Sequence, residues 1–312
     1  MIVDVIIPTY RPGEKFEKLI EKLENQTVPV HEIIVINTKV NREDVNSRLN
    51  RTVEVCDNIR LYQIPKEEFD HGRSRNYGAS LSKADICIFM TQDAVPADEY
   101  LLENITAPFA DSRVICSYAR QIPDTDSREI EKLTRSFNYP DRDMVKTAGD
   151  VQTMGIKTIF CSNVCCAYRM ELFNRLGGFI SHTIFNEDMI FAGRAVQKGY
   201  AVAYASRAKV IHSHNYTGKQ QLKRNFDLGV SQTEHPEIFK EFSSEKEGVR
   251  MVKKVISMLK QSGHGREIIP YIYQSGCKYI GYRLGRSYRK LPNFIIRKCT
   301  MNPGYFEERM KS

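Results

Sequence analysis

Thr91-Gln92-Asp93 follows directly on the apolar run Ile86-Cys87-Ile88-Phe89-Met90, so a carboxylate is delivered to the end of a segment that reads as a buried strand. In open α/β sheets ligands gather beyond the carboxyl ends of the strands, and an aspartate there is placed to hold a divalent cation against an anionic substrate. Two later features could complete that chemistry. His212 and His214 alternate along a strand-like run and so point the same way; with Asp93 they make an imidazole and carboxylate set suited to manganese or another divalent ion such as magnesium. Glu187-Asp188 opens a helical stretch, where a carboxylate could take the proton from an attacking hydroxyl, or could simply cap the helix against the positive end of its dipole.

Other polar residues fall at the same level of the presumed sheet. Pro8-Thr9-Tyr10 ends the first apolar run and Asn37-Thr38 ends the second, supplying polar groups where a nucleotide could lie. Arg75 and Asn76 sit near the start of a helix, where exposed N–H groups and a guanidinium suit a diphosphate. Each, read singly, is first a polar loop residue facing water.

The elements that must position these groups follow from periodicity. Residues 3–8 form a short apolar strand, residues 12–23 carry Phe16, Leu19, Ile20 and Leu23 at amphipathic-helix spacing, and residues 33–36 form the next strand. A helix-length connection between apolar runs favours parallel pairing with a right-handed crossover. Residues 72–83 read as a small-residue helix leading into the strand at 86–90, which repeats the unit. Between residues 123 and 155 the polar composition predicts a mobile loop with one helical stretch near 129–137. Strand character resumes at 161–168, short helices are expected at 170–176 and 188–198, and strands at 200–205 and 209–211. Beyond His235 the pattern is helical, with Val249, Val252, Val255, Ile256 and Leu259 on one face. There is no internal repeat and no low-complexity segment.

The 312 residues suffice for one large α/β domain or two smaller ones, with no run long and apolar enough to span a membrane and no signal-peptide pattern at the start, which predicts a cytosolic protein. The eight cysteines follow no disulfide framework, and Cys161, Cys165 and Cys166 lie in an apolar segment where reduced, packed thiols are expected; the crowded spacing makes a zinc site there the lesser alternative. The net charge of +8 is a property of the tail: from Gly248 onward there are 14 Lys and Arg against 3 Glu, a balance of +11 that leaves residues 1–247 at −3. Residues 278–298 interleave seven basic residues with Tyr, Ile, Leu and Phe. That stretch reads either as a solvated helix packed on the main domain or as a helix lying on an anionic membrane; no nucleic-acid recognition module accompanies it.

Taken in order, Pro8-Thr9-Tyr10, Phe69-Asp70-His71-Gly72-Arg73-Ser74-Arg75-Asn76, Thr91-Gln92-Asp93-Ala94, Asn186-Glu187-Asp188 and His212-Ser213-His214-Asn215-Tyr216 resemble the motifs of bacterial family 2 glycosyltransferases, and within them the rhamnosyltransferase branch, over about residues 3–227. The resemblance implies an α/β fold of GT-A type, a Rossmann-like nucleotide-sugar-binding sheet over residues 1–235 (a donor-binding half, 1–122, and an acceptor half, 123–235) with a basic helical C-terminal region, 236–312. It implies an inverting, metal-dependent transferase that moves L-rhamnose from dTDP-L-rhamnose to a glycan or lipid-linked glycan in cell-surface polysaccharide synthesis, in the cytoplasm or at the inner face of the plasma membrane. On that resemblance Asp188 is the catalytic base beside Glu187, Asp93 and one of His212 or His214 hold manganese or magnesium, and Pro8, Thr9, Tyr10, Asn37, His71, Arg75, Asn76 and Gln92 line the donor. Thr91 replaces the first acid of the family's Asp-x-Asp motif, and Asn37 stands where an Asp is common. Gln221-Leu222-Lys223-Arg224-Asn225 resembles the Gln-x-x-Arg-Trp signature of processive members but lacks the Trp, which argues against a polymerase. The remaining alternative is a non-catalytic nucleotide-sugar-binding or scaffold subunit, in which Asp188 is only a helix cap.

Overall fold

The computed structural model describes residues 1–39, 43–54, 56–242 and 245–309. The chain opens with strand β1 (Val3–Thr9), helix α1 (Glu14–Glu24), β2 (Glu32–Thr38), α2 (Glu43–Glu54), β3 (Ile59–Ile64), α3 (His71–Leu81) and β4 (Ile86–Met90). β1 pairs in parallel with both β2 and β4, and β2 with β3, so the intervening helices are crossover connections as the spacing predicted. Phe16, Leu19, Ile20 and Leu23 on α1 are all at 3 % exposure or less, and full burial of such side chains contributes about 1.5–3 kcal/mol each.

β5 (Val95–Pro96), α4 (Leu101–Thr106), β6 (Val114–Ile122), α5 (Glu129–Asn138), β7 (Met144–Lys146), α6 (Val151–Met154), β8 (Cys165–Arg169), α7 (Met170–Arg175), α8 (Glu187–Gln197) and β9 (Ala201–Ile211) follow. The strands form one mixed sheet in the order β3-β2-β1-β4-β8-β6-β9-β5, with β7 added on β9. Alternation divides the core. Val5, Ile7, Ile88 and Met90 pack on the α1 and α4 side, while Ile6, Cys87 and Phe89 pack with residues of α7 and α8 on the other. β2 and β4 flank β1 on opposite sides, and the crevice at this switch in strand order lies beyond the carboxyl ends of β1 and β4, where Asp93 follows.

Four expectations need correction. The polar stretch 123–155 is not a loop with one helix: it forms α5, β7 and α6, because its polar groups find partners, Lys146 donating to the Lys157 carbonyl at 2.9 Å and Thr147 with Asp150 forming a capping box. The strand expected at 161–168 begins only at Cys165; residues 161–164 are a loop whose Asn163 turns into the crevice. The strands at 200–205 and 209–211 are one strand, β9, with an irregularity against β6 between Ala205 and Lys209. Val249 is 58 % exposed and does not share the buried face of Val255 and Leu259.

The C-terminal part comprises α9 (Gly218–Glu234), α10 (Pro236–Phe239), α11 (Glu245–Gln261), α12 (Ile268–Arg286), α13 (Asn293–Cys299) and α14 (Pro303–Arg309). Val255 and Leu259 of α11 and Tyr271 of α12 share a core with Ile130 of α5, and Tyr288, Ile296 and Phe306 share one with Phe226 and Val230 of α9. Among the described residues no helix is long and apolar enough to cross a membrane. All eight cysteines are free thiols, and the fold brings Cys116 of β6 to Cys161 and Cys166, their sulfurs within 4.8 Å of one another in the core.

Candidate active site

Asp93, His212 and His214 converge although more than a hundred residues of chain separate the first from the other two. β9 ends at Ile211, and the backbone N–H of His212 donates to the Ile122 carbonyl, extending the β6 register by one residue before the chain turns. The two histidines therefore lie just past the strand rather than on it. Nε2 of His212 is 3.6 Å from Oδ1 of Asp93, Nε2 of His214 is 3.4 Å from Oδ2, and the two Nε2 atoms are 3.1 Å apart.

The proton positions follow from the neighbours. Arg135 donates to Oε1 of Gln121, which makes that oxygen an acceptor, and Nδ1 of His212 lies 3.1 Å from the same atom. Nδ1 of His212 thus carries the proton and Nε2 presents its lone pair to Asp93 and His214. Burial lowers the pKa of His212 to about 3 and also lowers that of His214, against the opposing pull of Asp93, so both rings are neutral near pH 7. Two neutral imidazoles and one carboxylate, with the nitrogen lone pair of one ring fixed toward the others, fit a divalent cation.

In the same crevice, Asn186 enters α8 in the left-handed conformation (φ 64°) and its Nδ2 donates to Ser231 at 3.1 Å, so the chain turns sharply and presents Glu187 and Asp188 to the cavity. Asn163 organises the pair: its backbone N–H donates to Oδ2 of Asp188 at 3.0 Å and its Nδ2 to Oε1 of Glu187 at 3.1 Å, while its own Oδ1 accepts from the Tyr168 hydroxyl at 2.8 Å. Burial opposes ionisation of Glu187, but Arg75, 3.3 Å away, and His71 more than offset it and hold the carboxyl below its ordinary value. Asp188 is displaced the other way: burial and the Glu187 charge push its pKa well up. Two adjacent carboxyls with opposite shifts are the arrangement that separates a fixed charge from a proton acceptor. Asp188 also accepts from the N–H of Met189 at 2.7 Å, so the helix-start role exists alongside the crevice-facing one.

One cavity of about 430 Å³ is lined by His71, Arg75, Asp93, Glu187, Asp188, His212 and His214 together with Thr91, whose hydroxyl is buried without a partner among the described residues. The other residues expected to line the donor are not part of the cavity lining. Thr9 donates to Asn37 at 3.0 Å across the paired ends of β1 and β2, and Pro8 belongs to β1. Gln92 is pinned to the Tyr10 backbone by two bonds, accepting from its N–H at 2.8 Å and donating to its carbonyl at 3.0 Å. Asn76 is used in the same way by the Phe179 backbone, at 2.7 and 2.9 Å, and does not line the cavity. The structure adds Gln121, Arg135, Asn163, Arg224 and Lys278 to the lining. Of these, Arg224 stood in the Gln221–Asn225 segment and Lys278 opened the basic stretch 278–298, without either being placed in the site; Gln121, Arg135 and Asn163 were not singled out.

The sheet order and the carboxylate, imidazole and guanidinium crevice at its switch point define a nucleotide-sugar transferase architecture. Residues 4–177 match the model of glycosyl transferase family 2, and the chain belongs to that family. It is 34 % identical to the O-antigen chain rhamnosyltransferase RfbN of Salmonella typhimurium, over 98 % of this chain and 96 % of that protein, and 34 % identical to the O-antigen chain rhamnosyltransferase WbaN of Salmonella anatum, over 97 % and 95 %. In fold it is similar to the mannosyltransferase PcManGT from Pyrobaculum calidifontis, solved in complex with GDP-Man and Mn2+, with a TM-score of 0.63 at 15 % identity, covering 93 % of this chain and 88 % of that one. The protein is a glycosyltransferase with a GT-A-type mixed sheet and a helical C-terminal extension.

Proposed function

We propose that the chain transfers L-rhamnose from dTDP-L-rhamnose to a glycan or lipid-linked glycan acceptor, with inversion at the anomeric carbon. The observation that carries this reading is the convergence of Asp93, His212 and His214 with Asp188 in one crevice. The likeness to two O-antigen rhamnosyltransferases along nearly their whole length supports the sugar and the class of acceptor.

A divalent cation held by Asp93, His212 and His214 would neutralise charge on the departing diphosphate. Asp188, its carboxyl held at both oxygens by backbone N–H groups, accepts the acceptor hydroxyl's proton as that oxygen bonds to the anomeric carbon and the bond to the diphosphate breaks. Glu187 stays ionised against Arg75 and keeps the Asp188 carboxyl basic enough to receive the proton. Thr9, Asn37 and the Tyr10–Gln92 clamp shape the neighbouring surface for the nucleoside.

The same reading places the acceptor at an anionic membrane surface. Ile269, Ile272, Tyr273, Tyr279 and Ile280 are 52–79 % exposed along one face of α12, and basic residues including Arg283, Arg289, Lys290, Arg297 and Lys298 lie exposed near its end and beyond.

The test is turnover of nucleotide sugars with Mn2+. The expected result is transfer or slow hydrolysis of dTDP-L-rhamnose that is absent in Asp93→Ala. Turnover of another nucleotide sugar alone would replace the donor assignment, and turnover of none would overturn the reading.

A further inference from the structure

α12 lies against α9 at backbone contact. A Cβ at Gly281 would stand 2.1 Å from the Leu222 carbonyl oxygen, one at Gly285 would stand 2.1 Å from that of Phe226, and one at Gly229 would stand 2.5 Å from that of Tyr282. Such a seam fixes one helix on the other with little freedom to slide. Positions 278, 281 and 285 share a helical face, so Lys278 stands on the α9 side of α12, one turn before the first of these contacts, and it lines the crevice with Asp93, Asp188, His214 and Arg224.

The cations of the crevice are not equally committed. Arg75 pairs with Glu187, and Arg135 pairs with Glu131 at 2.7 Å. Lys278 and Arg224 have no ion pair or hydrogen bond among the described residues; Arg224 lies over the rings of Phe185 (4.7 Å) and Tyr216 (5.8 Å). Burial lowers the pKa of Lys278, and Arg224 and Arg135 lower it further against the pull of Glu131, so the site is short of negative charge.

We propose that Lys278 binds the phosphate groups of the nucleotide donor, with Arg224 beside it, so that the C-terminal helix α12 completes the diphosphate subsite whose other side is Asp93, His212 and His214. The inference rests on the donor reading above and makes the region after residue 235 part of the donor site.

Calorimetric titration of the full chain with dTDP, UDP and GDP in the presence of Mn2+, and with the three corresponding nucleosides, tests it in the wild type, Lys278→Ala and Lys278→Arg. The expected result is that Lys278→Ala binds the preferred diphosphate about tenfold or more weakly, the scale of one lost charge-assisted hydrogen bond, with nucleoside affinity unchanged and partial rescue by Lys278→Arg. Wild-type affinity in Lys278→Ala overturns this proposal and leaves the donor reading standing. An equal loss for nucleoside and diphosphate marks a structural role and also overturns it. If the wild type binds none of the three diphosphates, both readings fall together.

Discussion

The backbone N–H of Asn163 donates to Oδ2 of Asp188 at 3.0 Å, and through its side chain the same residue also holds Glu187. Two carboxyls of opposite protonation tendency are thus set by one residue from the loop that leads into β8. Asn163→Ala removes the Glu187 contact and the Tyr168 anchor while leaving both acids in place, and misplacement of a reacting group by about 1 Å is enough for losses near a hundredfold. The expectation is a kcat lowered by about tenfold to a hundredfold with the donor KM little changed, read from steady-state kinetics. A donor KM raised with kcat intact would assign Asn163 to binding instead.

The raised pKa of Asp188 has a signed consequence. Only the ionised form accepts a proton, so kcat/KM falls as pH drops through a value well above the ordinary 3.8 for an aspartate, whereas Glu187 remains ionised throughout that window. Because the folded pKa lies above the unfolded one, this group's contribution to stability is present below the unfolded value and lost as pH rises through the folded one. Asp188→Asn is therefore expected to melt no lower than the wild type at pH 7 by calorimetry. An acid limb at the ordinary aspartate value would contradict the assignment of the shifted group as the base.

Much of this site was legible because strands and helices announce their ends. The run 86–90 located Asp93, and the spacing of Phe16, Leu19, Ile20 and Leu23 fixed the first crossover. Other elements hid for a physical reason. α9 buries Gly218, Gln221, Asp227, Ser231 and Gln232 along with Phe226 and Val230, since its buried groups are partnered rather than apolar, as with Asp227 accepting from Thr300 at 2.6 Å. β6 carries Arg120 and Gln121 near its end because they serve ion pairs and the histidines, so periodicity alone gave no strand there. Lys278 was read as part of a basic tail because nothing local reveals that Gly281 and Gly285 seat α12 against Leu222 and Phe226 of α9.

Gln121 fixes the tautomer of His212 without touching the proposed ion. Loss of such a supporting hydrogen bond costs about tenfold to a hundredfold in metal affinity, and Gln121→Leu is expected to weaken Mn2+ binding by that much in a calorimetric titration while retaining all three ligands. Unchanged Mn2+ affinity would show that His212 is oriented by other means or is not a ligand.

The exposed face of α12 gives the membrane reading its own test. Ile272→Ser with Ile280→Ser alters residues 52 % exposed each, so the fold is expected to persist. Flotation with phosphatidylglycerol-containing vesicles should be reduced by the double substitution and by added salt. Equal flotation of both proteins would count against this face.

The most direct test of the whole account compares Asp188→Asn with the wild type in two measurements on one preparation: donor affinity and the single-turnover rate of sugar transfer. The account predicts unchanged affinity and a rate lower by roughly a hundredfold or more, the scale of a lost positioned base. Transfer at the wild-type rate would contradict it.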